Sequence, residues 1–185
     1  MNQINSRHRR AGGFTLIELL VVMSIIVILA GIGLAVSKHF EQKSKIEETS
    51  VRIQRIRMHL EEYINENGGI YPQSADGTST VLYRVLSGDF TGQGQPPTGT
   101  TYYRELTELS NSSLVGILGQ NRVILDAFGS PFRYRPALDA NGNVNPNVRN
   151  DGDFDLWSVG PDKKPSEMNI PGNLFTEETQ DDIWK

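Results

Sequence analysis

The chain has 185 residues, a hydrophobic fraction of 37 %, 18 basic against 22 acidic side chains for a formal charge of −4, and no cysteine. That length holds one modest domain plus an anchoring segment. The missing cysteines exclude a disulfide-stapled fold, so a small exported domain of this kind calls for another cross-link such as a metal. An acidic balance without a basic stripe excludes nucleic acid as a partner.

Residues 1–13 form a leader with Arg7, Arg9 and Arg10 and no acid; without these three the formal charge falls from −4 to −7. From Phe14 to Val36 the only ionisable side chain is Glu18. Leu, Ile, Val, Ala and Gly make up most of the remainder, enough to cross a hydrocarbon core as a helix. The leading arginines put the N-terminus on the cytoplasmic side. An ordinary secretory signal fits poorly. The apolar segment is too long, its small residues Gly12-Gly13 precede it, and only Ala30-Gly31-Ile32 offers a weak cleavage site behind it. A carboxylate at the bilayer centre costs roughly 3 kcal/mol, less near the interface. A cut after Gly13 would supply its partner: a new α-amino group on Phe14, one helical turn from Glu18 in the same chain or within reach from a staggered neighbour.

Gly13-Phe14-Thr15-Leu16-Ile17-Glu18 followed by the long apolar run resembles the class III signal of type IV pilins and type II secretion pseudopilins. The resemblance implies processing by a prepilin peptidase between Gly13 and Phe14, then N-methylation of Phe14. It also implies assembly through Glu18, whose counterpart pairs with the terminal amine of a neighbouring subunit.

Beyond the apolar segment, Ile46, Ile53, Ile56, Leu60 and Tyr63 recur at spacings of three to four, with a gap at Thr49. Lys43, Lys45, Glu47, Glu48, Arg52, Arg55, Arg57, Glu61 and Glu62 fall on the other faces. The pattern predicts an amphipathic extension of the same helix over 37–67, laying one stripe on a domain and ending at Asn67-Gly68-Gly69. From Thr15 to about Glu66 that is roughly 75–80 Å of helix. Residues 68–121 read as a variable helix and loop region. Short helices are expected at Val81–Leu86 and Tyr103–Leu109, with a loop rich in Gly, Gln and Pro from Gly88 to Gly99. Residues 122–185 read as an antiparallel sheet and C-terminal loop: Arg122–Leu125, the turn Asp126–Pro131, a strand at Phe132–Arg135, and another at Phe154–Val159. The fold expected is α+β, type IV pilin-like: a long N-terminal helix, transmembrane over 14–36 and then amphipathic, packed on a small C-terminal antiparallel sheet.

The block Asp126-x-Phe128-Gly129-Ser130-Pro131-Phe132-Arg133-Tyr134, then Asp155-Leu156-Trp157-Ser158-Val159-Gly160-Pro161-Asp162, then Asp181-Asp182-Ile183-Trp184 is similar to the major pseudopilin of type II secretion. That resemblance implies a calcium ion held by the Val159 carbonyl, Asp162 and Asp182, hard oxygen ligands of the kind calcium takes. Here Lys163-Lys164 follow Asp162, and the stretch to Asp182 is longer than in that family.

No nucleophile elbow or phosphate loop appears. His39 and His59 are not spaced as a metal pair, and Trp157 and Trp184 read as core aromatics. The chain is therefore expected to be a non-enzymatic subunit. Its expected location is the bacterial inner membrane, single-pass with the C-terminal domain in the periplasm, and then a periplasmic filament. Its expected partners are copies of itself, prepilin peptidase, other pseudopilins and an inner-membrane assembly platform. A type IV pilin of a surface fibre and a signal-anchored binding domain are the alternatives.

Overall fold

A computed structural model describes residues 14–74, 77–108, 113–139, 141–145, 148, 153–163 and 183–184, without the side chains of 32–38 and 184. The chain divides into two compact units, Met1–Glu41 and Gln42–Lys185. Helix α1, Leu16–Glu66, begins in the first and ends in the second.

In the first unit every described side chain of α1 from Leu16 to Gly31 is exposed. Among the described residues no helix is long and apolar enough to cross a membrane. The last part of the expected span over 14–36, residues 32–36, has side chains outside the described residues.

In the second unit α1 ends where the sequence signals it should. Asn67 N–H bonds to the Tyr63 carbonyl, and Gly69 N–H reaches back to Ile64 at 2.8 Å through two glycines at positive φ. Helix α2, Thr80–Ser87, follows, then a 3-10 turn η1 at Arg104–Leu106. The expected Tyr103–Leu109 helix is therefore one turn, with Leu109 outside the described residues. A two-stranded sheet pairs β1, Val115–Leu118, with β2, Asn121–Ile124, antiparallel. A three-stranded antiparallel sheet has the order β3-β4-β5, with β3 at Arg133–Arg135, β4 at Asp155–Ser158 and β5 at Ile183–Trp184. The α+β architecture is that of a type IV pilin-like fold, with two small sheets where one was expected.

The core is one cluster. Ile53, Ile56, Leu60 and Ile64 of α1 meet Leu82 and Leu86 of α2, Ile124 of β2, Tyr134 of β3 and Leu156 of β4. These α1 positions lie three or four apart, so one stripe of the helix is buried. Ser79, just before α2, uses its hydroxyl across the fold: it donates to the Ile124 carbonyl at 2.9 Å and accepts from the Ile124 N–H at 3.0 Å. Gly88 closes α2 at φ 74°, where an added Cβ would stand 2.8 Å from the Gly99 carbonyl oxygen. Only glycine fits both demands.

Candidate functional site

The residues expected to act in processing and assembly are Gly13, Phe14 and Glu18. Gly13 lies outside the described residues. Phe14 is the first described residue, non-helical and exposed. Glu18 is in the first turn of α1.

Local chemistry fixes where α1 starts. Thr15 is followed three residues later by Glu18, the Thr-x-x-Glu pattern of a capping box. Its side-chain geometry is present in full. Glu18 N–H donates to Thr15 Oγ1 at 3.3 Å, and Thr15 N–H donates to Glu18 Oε2 at 2.9 Å. The Thr15 hydroxyl also donates to that same Oε2 at 2.8 Å. The Thr15 carbonyl accepts the first helical bond, from Leu19 at 3.2 Å. Two of the donors that a helix start leaves orphaned are thereby satisfied, and a negative charge sits at the positive end of the helix dipole. The apolar pattern alone leaves out Thr15, although the Thr-x-x-Glu signal was there to read.

A second polar centre holds the Asp126 turn onto α1. Thr49, the gap in the apolar stripe, is fully buried, and its hydroxyl accepts the Ala127 N–H at 3.2 Å. Arg52, expected on a solvent face, is instead buried. Its Nη1 donates to the carbonyls of Ser113, Leu125 and Asp126 at 2.8, 2.9 and 3.1 Å, while Nη2 pairs with Glu48. A guanidinium fits because its planar fork supplies several donors at once to carbonyls that no strand partner reaches. The Asp126 carboxylate accepts Phe128 N–H and Ser130 N–H on Oδ1 and the Ser158 hydroxyl, at 2.6 Å, on Oδ2. The turn that resembles the pseudopilin block is thus a joint between α1, the first sheet and β4.

At the proposed calcium ligands, Val159 is buried at the end of β4, and Asp162 is exposed in the turn that follows. Asp182 lies outside the described residues. Ile183, the residue after it, is opposite Ser158, the residue before Val159. Among the described residues no three His, Asp or Glu side chains are grouped to hold a metal. Trp157 is buried as expected, with the Arg135 guanidinium 5.9 Å from its ring centre. His59 stacks on Tyr103 with ring centres 4.7 Å apart, which accounts for it within the fold.

One family description matches the chain: the prokaryotic N-terminal methylation motif, over residues 8–34. No curated protein and no solved structure matches. The motif marks the N-terminus as that of a type IV pilin-like substrate of prepilin peptidase, which points to a structural, polymerising subunit. It covers the Gly13-Phe14 junction, the capping pair Thr15 and Glu18, and the exposed apolar part of α1.

Proposed function

We propose that the chain is a pseudopilin. Prepilin peptidase removes Met1 to Gly13 and methylates Phe14. The helix is stored in the bacterial inner membrane with the C-terminal domain in the periplasm, and the subunits polymerise into a periplasmic filament that drives type II secretion. The observation that carries this reading is the methylation motif lying on a helix start whose single carboxylate, Glu18, is followed by thirteen exposed and mostly apolar positions, Leu19 to Gly31. Exposed apolar surface of that extent needs lipid or other copies to cover it. The resemblance of the Asp126 turn and of the Trp157 strand to the major pseudopilin supports type II secretion over a surface fibre.

Calcium belongs to the same proposal. Val159 and Asp162 offer a carbonyl and a carboxylate, and the pairing of Ile183 with Ser158 supports bringing the C-terminal end of the chain to them. Bound calcium would cross-link a chain that has no disulfide.

Glu18→Ala tests the assembly step. The variant should still be cut, giving mature chain with methyl-Phe14 by mass spectrometry, yet yield no filaments and no secretion. Normal filaments from it would overturn the mechanism. Surface fibres with unaffected secretion in a deletion strain would instead identify a pilin.

A further inference from the structure

The capping box divides the two oxygens of Glu18 between two duties. Oε2 takes both donors that Thr15 offers, the N–H at 2.9 Å and the hydroxyl at 2.8 Å. No described group bonds to Oε1. The Thr15 hydroxyl is held in turn by the Glu18 N–H, so the carboxylate cannot swing out along the helix without opening the cap. A free glutamate side chain has several rotamers, and only a fraction of them direct an oxygen back toward the chain's own N-terminus.

We infer that Thr15 is a positioning residue for Glu18: it clamps one carboxylate oxygen at the helix start and leaves the other presented to the α-amino group of an arriving subunit. This rests on the reading that Glu18 pairs with such an amine during polymerisation. Two consequences follow from the geometry. Before assembly, the clamp gives the carboxylate charge-assisted hydrogen bonds, which lowers the cost of holding it in an apolar surrounding. During assembly, the acceptor is already oriented, so the incoming ammonium meets a fixed target and less rotamer freedom is lost on pairing. The cap and the inter-subunit pair are compatible because a carboxylate has lone pairs enough for both.

The test uses the full chain co-expressed with its peptidase and assembly machinery. Four variants are compared: Thr15→Val, Thr15→Ser, Glu18→Gln and the double variant Thr15→Val/Glu18→Gln. Processing is scored first by the mass of the mature chain, and filament yield is then normalised to mature subunit. Thr15→Val keeps size and charge and removes only the hydroxyl. It should lower filament yield roughly tenfold or more, as expected for loss of a hydrogen bond to a charged group. Thr15→Ser should restore the yield to near that of the unaltered chain. Glutamine still satisfies a capping box but carries no charge, so Glu18→Gln should lower filament yield more than Thr15→Val does, to a residual level that is still measurable, while keeping slow amide exchange at Glu18 and Leu19 in micelles. Because Thr15 acts through Glu18, Thr15→Val should add no further loss of filaments on top of Glu18→Gln.

Wild-type assembly by Thr15→Val overturns the inference, as does Thr15→Ser behaving no better than Thr15→Val. A separate, additive loss in the double variant also overturns it. Normal filaments from Glu18→Gln would instead overturn the amine-pairing reading on which it rests, so the two failures are distinguishable.

Discussion

Ile25, Ile28 and Leu29 on the first part of α1 are half exposed or more, whereas Ile53, Ile56 and Leu60 further along the same helix are completely buried. The side chains are chemically alike, and so is the backbone that carries them. The difference lies in what surrounds each stretch. From Gln42 onward polar residues fill the positions between the apolar ones, and a domain of the same chain covers the stripe that results. From Leu16 to Gly31 apolar residues occupy every face, and among the described residues nothing covers them. The second region is therefore completed by its own chain, whereas the first leaves its apolar surface exposed.

The sharpest way to break that comparison is one truncation in each region. Leu60→Ala opens a cavity in the shared core and should destabilise the second unit by about 2–5 kcal/mol. Leu20→Ala, at an exposed position of the first unit, should change the unfolding of the second by no more than roughly 0.5 kcal/mol. Both are read from thermal unfolding of the full chain in micelles, followed by near-ultraviolet circular dichroism of the buried tyrosines. Equal effects would remove the distinction. A smaller effect sharpens it. Arg52→Ala strips a cation from inside the second unit and leaves the Ser113 and Leu125 carbonyls short of a donor, while the Asp126 carbonyl keeps the Gly129 N–H, at a cost of about 2–3 kcal/mol. Arg52→Lys should recover only part of this, because one ammonium cannot reproduce the fork. Full recovery by lysine would show that charge alone matters there.

Most of this organisation is legible in the sequence wherever the signal is periodic or local. The apolar stripe, the Gly68-Gly69 stop, α2, and the strands around Tyr134 and Leu156 all follow from short-range rules. Three features are not read from the pattern, two of them because their causes are non-local. Arg52 reads as a solvent-facing charge on any helical wheel, and only the approach of three carbonyls from residues far along the chain turns it inward. The two residues of β5 are too few to carry a pattern and exist as a strand only by pairing with β4. Strand β1 is different, because its signal was present beside the expected Arg122–Leu125 segment that overlaps β2. Val115-Gly116-Ile117-Leu118, then Gly119-Gln120, then Asn121-Arg122-Val123-Ile124 is a two-residue hairpin whose turn needs the positive φ of 63° that Gly119 adopts. At the functional end, the apolar run and Glu18 suggested a charge awaiting a partner, whereas Thr15 already provides one within the chain.

The loop from Gly88 to Gly99 gives the smallest expected effect within the second unit and a pH signature of its own. Asp89 is buried, and its carboxylate organises the turn. Oδ1 accepts from the N–H and hydroxyl of Thr91 and from Gly92 N–H, and Oδ2 accepts from Gly94 N–H at 2.6 Å and Gln95 N–H at 3.1 Å. Burial by itself would raise the carboxyl's pKa, but the hydrogen bonds from Thr91, Gly94 and Gly92 outweigh it and hold the group below the usual carboxylate range. A pKa depressed in the folded state contributes stability that is fully present above the unfolded value, about 3.9, and is lost as pH falls through the lower folded value. Asp89→Asn places an amide donor where Gly94 and Gln95 need an acceptor, so it should cost roughly 1–2 kcal/mol at pH 7. That cost should shrink as acid protonates the native aspartate, because the two proteins then present similar neutral groups to the loop. Unfolding of both at pH 7 and near pH 3 measures it. A difference that stays constant across that range would mean that the loop is held by its packing and not by the carboxylate charge. The region completed by its own chain would then owe this corner to shape alone.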